Sequence, residues 1–124
     1  MIDTDVLIDV GRGVADATEC LEQHELRSVL AISVITQLEL LVGCQDKREF
    51  KNVDKFLKRF EVVKLDARAS DIAVDLISRY RLSHGLLIPD ALIGATALAN
   101  AVPLLTKNKR DYRFIAGLSL LPYP

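Results

Sequence analysis

The run Val29-Leu30-Ala31-Ile32-Ser33 passes directly into Val34-Ile35-Thr36-Gln37-Leu38-Glu39-Leu40-Leu41-Val42-Gly43. The first five residues are a compact apolar run of strand length. The next nine carry aliphatics at 35, 38, 41 and 42, which is helical spacing. Ser33 stands where a helix N-cap is wanted, and Gly43 where a helix stops. A strand that feeds straight into a helix is the unit of an α/β fold.

The same alternation recurs on both sides. Met1–Val6 reads as a short strand entering a turn. Ala17, Cys20, Leu21 and His24 set a helical stripe over 14–26. Asp46-Lys47-Arg48-Glu49 has the form of a capping box, ahead of a helix burying Phe50, Val53, Leu57 and Phe60. Val62–Leu65 is a strand candidate. Asp66 precedes a stripe of Ala69, Ile72, Ala73, Leu76, Ile77 and Tyr80 that ends near Gly85. Pro89 suits the first position of a further helix, and Asp90–Ala101 is apolar on nearly every side, so it should be buried. Leu104–Thr106 is a strand candidate, Asn108–Ala116 a short polar helix, and Leu118–Leu121 a last strand. Strands alternating with helices predict an α/β sandwich, with a mostly parallel central sheet flanked by helices. Its chemistry should collect at the carboxyl ends of the strands. The 124 residues suit a single domain over 1–124.

Half of the residues are hydrophobic and 27% are charged, which excludes a disordered or low-complexity chain. No apolar run approaches the roughly 18 residues of a membrane span. No basic stretch followed by an apolar one opens the chain, so a cytoplasmic protein without a signal peptide is expected. Cys20 and Cys44 are expected to be reduced thiols. His24 and His84 read as surface or helix-end residues.

The net charge of −1 conceals an asymmetry. Acids crowd residues 1–25, where only Arg12 opposes Asp3, Asp5, Asp9, Asp16, Glu19, Glu22 and Glu25. Bases crowd 46–60 and 107–113. A metal-binding centre flanked by phosphate-binding surface would show such a pattern. Three acids also stand where a solvated face does not put them. Asp3 ends the first apolar run, Glu39 interrupts Leu38-Glu39-Leu40-Leu41, and Asp90 is the only charge over 85–101. A buried carboxylate without a partner costs several kcal/mol. Acids gathered at one sheet edge repel unless a cation lies between them. With no His or Cys nearby, that cation would be hard: Mg²⁺ or Mn²⁺. A metal held by carboxylates activates water and neutralises charge on a phosphodiester.

Four stretches together resemble the PIN-domain ribonucleases and, among them, the VapC-like toxins of toxin–antitoxin pairs. They are Ile2-Asp3-Thr4-Asp5-Val6-Leu7-Ile8, Ile35–Gly43, Ile88-Pro89-Asp90-Ala91-Leu92-Ile93-Gly94-Ala95-Thr96-Ala97, and Leu105-Thr106-Lys107-Asn108. The resemblance implies a PIN-like three-layer sandwich and Mg²⁺- or Mn²⁺-dependent endonucleolytic cleavage of RNA. It assigns Asp3, Glu39 and Asp90 as catalytic acids, with Asp3 and Asp90 on the metal. Thr4, Thr106 and Asn108 would support them. Asn108 stands where the family often carries a fourth acid, and Asp111 is the nearest acid able to replace it. Lys107, Lys109 and Arg110 would contact RNA phosphates. A cognate antitoxin and a homodimer are the implied partners. Two rivals remain at this stage. One is a receiver-like phosphoacceptor domain using Asp54 and Lys107; the other is a PIN-like module that binds without catalysis.

Overall fold

The computed structural model describes residues 1–124. Six helices and four short strands alternate: α1 (Thr4–Gly11), α2 (Ala15–Glu25), β1 (Ala31–Ser33), α3 (Val34–Val42), α4 (Lys47–Leu57), β2 (Glu61–Val63), α5 (Ala67–His84), α6 (Ile88–Ala99), β3 (Leu104–Leu105) and β4 (Leu120–Leu121). β1 pairs with β2, and β3 with β4, both parallel. Ile2 joins the two pairs. Its N–H donates to Ala31 O at 2.9 Å, and it forms a parallel bridge with Leu105. The spatial order is therefore β2, β1, Ile2, β3, β4. The chain leaves Ile2 toward one edge and later returns to the other side of it. A crevice at the carboxyl ends is expected at that switch point.

The side-chain alternation of a strand sorts the core into two layers. Met1, Leu104 and Leu120 face one cluster, with Ala73 and Leu76 of α5, Ala91, Ile93, Ala95 and Ala97 of α6, and Tyr112 and Ile115. Ile2, Ile32, Leu105 and Leu121 face the other, with Val6 and Leu7 of α1, Cys20 and Leu21 of α2, and Leu57 and Phe60. Helices on both faces of a parallel sheet give the expected three layers.

Local signals set most boundaries. Ser33 Oγ accepts the Ile35 N–H at 3.0 Å, and Asp46 accepts that of Glu49 at 2.8 Å. Glu49 returns the capping box to Gln45 N instead of Asp46 N. Asp66 accepts the Ala69 N–H at 2.8 Å. Gly85 ends α5 at φ 68°, a left-handed turn that favours glycine.

Four expectations are corrected. Met1–Val6 is not a strand: helix α1 starts at Thr4 because Asp3 caps it, and Ile2 alone pairs. Asn108–Ala116 is not a helix but a single 3₁₀ turn, Lys109–Asp111. The aliphatic stripe of α3 is only partly covered: Ile35 packs against the core, but Leu38 is 52% and Val42 84% exposed. Phe50 of α4 is exposed too. Both cysteines are free.

Ile32 is fully buried on the central face of β1. Ile32→Ala should cost about 2–5 kcal/mol, whereas Leu82→Ala, at a fully exposed site, should stay within about 0.5 kcal/mol. Urea denaturation measures both.

Candidate active site

The residue after each central strand is polar, and these residues meet. Asp3 follows Ile2, and Thr106 follows β3. The Thr106 hydroxyl donates to Asp3 Oδ2 at 2.8 Å, and the Thr4 N–H donates to Asp3 Oδ1 at 2.9 Å. Both Asp3 and Thr106 are buried. Asp90 enters from the first turn of α6, where the helix dipole favours a carboxylate. The Tyr112 hydroxyl spans the two acids, 3.3 Å from Asp3 Oδ1 and 3.1 Å from Asp90 Oδ1. It has one proton to give and two carboxylates to serve.

Glu39 reaches the cluster from α3. Its Oε1 accepts the Thr4 hydroxyl at 2.8 Å, and that hydroxyl also lies 3.0 Å from Thr36 Oγ1. Glu39 is itself exposed, contrary to a reading of it as a carboxylate among packed aliphatics. Asp111 is exposed and lines a small cavity together with Asp90. Asn108 contributes its backbone: its N–H donates to Asp5 Oδ2 at 3.0 Å, beside that of Lys107 at 3.1 Å.

The price of gathering these acids shows in their proton affinities. Burial, reinforced by the charge of Asp5, pushes Asp3 up to about 7, against the opposing hydrogen bonds from Thr106 and Thr4. Burial likewise raises Asp90, with the charges of Asp111, Glu39 and Asp5 adding to it and the Tyr112 hydrogen bond opposing it. Tyr112, buried between Asp3 and Asp90, is held far above the ordinary phenol range and stays a donor.

The donor set suits a hard cation. It is all oxygen, and Asp5 Oδ1 is buried with no hydrogen-bond partner. No group of three or more His, Cys, Asp or Glu side chains is placed to hold a metal ion. Mg²⁺ rarely needs one: it keeps several waters and binds through one or two carboxylates plus substrate phosphate.

Among the expected phosphate contacts, Lys107 is already engaged. Its ammonium lies 3.0 Å from Asp9 Oδ2, which also accepts from Tyr123 at 3.3 Å. Lys109 and Arg110 are exposed without a partner. Asp54, on which a phosphoacceptor would depend, is an exposed residue within α4, away from any strand end.

A family model described as the PIN domain matches residues 1–117. The chain belongs to the PIN-domain family. Among the relatives of this PIN domain, Ribonuclease VapC10 of Mycobacterium tuberculosis is 36% identical over 87% of this chain and 81% of its own length. Ribonuclease VapC1 of Methanocaldococcus jannaschii is 30% identical over 99% and 85%. A toxin–antitoxin complex from Klebsiella pneumoniae superposes with TM-score 0.80 at 30% identity, covering 98% of this chain and 94% of that one. VapBC2 from Rickettsia felis, bound to a promoter DNA fragment, gives TM-score 0.84 at 25% identity, covering 100% and 98%.

The PIN-domain motifs led to Asp3, Glu39 and Asp90; Tyr112 bridges Asp3 and Asp90, whereas Glu39 is tied to Asp3 only through Thr4 and opens on a different groove. Tyr112 and Thr36 were missed. Tyr112 sits in a charged stretch that reads as surface, and only its long-range burial reveals it.

The raised affinity of Asp3 has a consequence for stability. Ionising it costs folding energy, a cost absent below its unfolded value near 4 and complete above about 7. In metal-free protein, Asp3→Asn should therefore gain in Tm over wild type as pH rises through that window. A gap that does not vary with pH contradicts this reading.

Proposed function

We propose that this PIN-domain protein is a divalent-metal-dependent endoribonuclease, the toxin of a toxin–antitoxin pair, working in the cytoplasm with Mg²⁺ or Mn²⁺. The observation that carries the reading is the pair of Asp3 and Asp90 carboxylates, raised in proton affinity and sharing one phenol proton at the sheet's switch point. Such a pair is short of positive charge. The relatives named Ribonuclease VapC support the choice of RNA as substrate.

Asp3 and Asp90 would hold the ion. A bound divalent cation supplies Lewis acidity at the scissile phosphodiester and lowers the pKa of water. The chain's own residues do the rest. Thr106 and the Thr4 N–H fix the Asp3 carboxylate in one orientation. Glu39, steadied by Thr4 through Oε1, keeps Oε2 without a protein partner and is the group to orient the attacking water. Asp5 pins the backbone of Lys107 and Asn108, and so fixes Thr106 from the far side. Asp111 adds negative charge at the rim beside Asp90. Lys109 and Arg110 are free to take RNA phosphates. Lys107 would join them only by leaving Asp9.

Two exposed apolar areas support the partners. Ile8 of α1, Leu40 of α3 and Val53 of α4 line a groove of about 300 Å³ that also reaches Glu39, and Leu38 and Val42 of α3 and Phe50 of α4 are exposed on the same helices. An antitoxin segment seated there would cover the candidate site. Val74 of α5 and Ile88 of α6 are exposed and line two apolar hollows of about 510 and 450 Å³. A second copy of the chain would cover that face.

Asp90→Asn should reduce RNA cleavage at least about 100-fold, the upper end of what loss of an outer-sphere partner costs a metal site. Its circular dichroism should match wild type. Excess EDTA should silence wild type equally. Full cleavage by Asp90→Asn, or by wild type in EDTA, excludes the proposed chemistry.

A further inference from the structure

The C-terminal end of α5 carries an aromatic cluster that the metal site does not use. The His84 ring stacks on Phe114, with centroids 4.1 Å apart and planes within 18°. Tyr80 abuts Phe114 at 5.0 Å and His84 at 5.9 Å. Ser83 Oγ lies 2.7 Å from His84 Nδ1 and holds the ring in place. His84 is exposed and stacks over a half-buried Phe114, so its ring is accessible from solvent.

This platform borders a cavity of about 150 Å³. Leu86 and Leu87 give it an apolar side, and the carboxylates of Asp90 and Asp111 line it as well. The cavity thus shares a wall with the candidate metal site.

We propose that this cavity is a nucleobase subsite, in which a base next to the scissile phosphate stacks on the His84–Phe114 pair and offers its exocyclic amino group to Asp111. The proposal rests on the ribonuclease reading and specifies how that site takes its substrate. Three features support it. Unpaired RNA bases are bound by stacking on aromatic or histidine rings. Two carboxylates repel a phosphate, so the base and not the backbone enters. An ionised carboxylate only accepts hydrogen bonds, so adenine, cytosine and guanine suit Asp111. Uracil sets a carbonyl oxygen on each side of its one N–H and does not.

The test uses uncharged nucleosides and the metal-free wild-type protein. The chain has two histidines, His24 and His84, so their ring-proton NMR signals are easily told apart. Adenosine and cytidine should move the His84 signals upfield in a saturable way and leave His24 in place. Uridine should move them less, ribose not at all, and Phe114→Leu should abolish the effect. Signals of His84 that stay fixed with adenosine, or that respond equally to ribose, overturn the proposal. Should Phe114→Leu fail to fold, the exposed His84→Ala decides on RNA. It should raise KM about tenfold, keep kcat and Mn²⁺ affinity, and lose discrimination against uridine beside the cut. An unchanged KM and unchanged base distribution overturn the proposal. A wild type that binds adenosine at His84 but leaves RNA intact supports the base site and removes the nuclease reading, so the two failures are distinct.

Discussion

A single phenol proton lies between two carboxylates, and the site depends on that shortage. Tyr112 donates to Asp3 or to Asp90, but not to both at once. Asp3 is buried, with Thr106 and Thr4 also donating to it, and Asp90 is half-buried, so the pair still gains by taking a proton or by sharing a cation. The raised proton affinities of Asp3 and Asp90, caused chiefly by burial, correspond to the first remedy. A divalent ion is the second, and it brings chemistry with it. The electrostatics that make the acids costly to the fold are also what would draw a cation to them.

The fold supports this arrangement with very little β-structure. Ile2 is one residue of pairing, yet it joins both halves of the sheet. Immediately after it, Asp3 caps α1 and faces Asp90. Capping and catalysis make compatible demands here, since both want an ionisable oxygen at the end of a strand. α1 then holds the opposite loop through Asp5 and Asp9, which accept from the backbone and the side chain of Lys107. Loss of either contact would loosen Thr106, and through it Asp3.

Much of this was legible in the sequence. The strand–helix alternation carried the layers, and Ser33, Asp46 and Asp66 cap α3, α4 and α5 as written. Asp3 and Asp90 stood out as acids in apolar surroundings. The first segment was misread because Val6-Leu7-Ile8 is too short for periodicity to separate strand from helix, and the Asp3-Thr4 cap signal was the better guide. Periodicity showed the apolar stripe of α3 but not what covers it. Tyr112 had no local signature. Its burial arises where the 106–116 segment folds over α6, a contact set by residues far apart in the chain.

On the function proposed, Asp3 and Asp90 share one divalent ion. Crystals soaked in Mn²⁺ and measured at the manganese absorption edge test it most directly. An anomalous peak within coordination distance of both carboxylates, lost in Asp3→Asn crystals, is the expected result. Crystals in which Mn²⁺ scatters elsewhere on the surface while this crevice stays empty would contradict it.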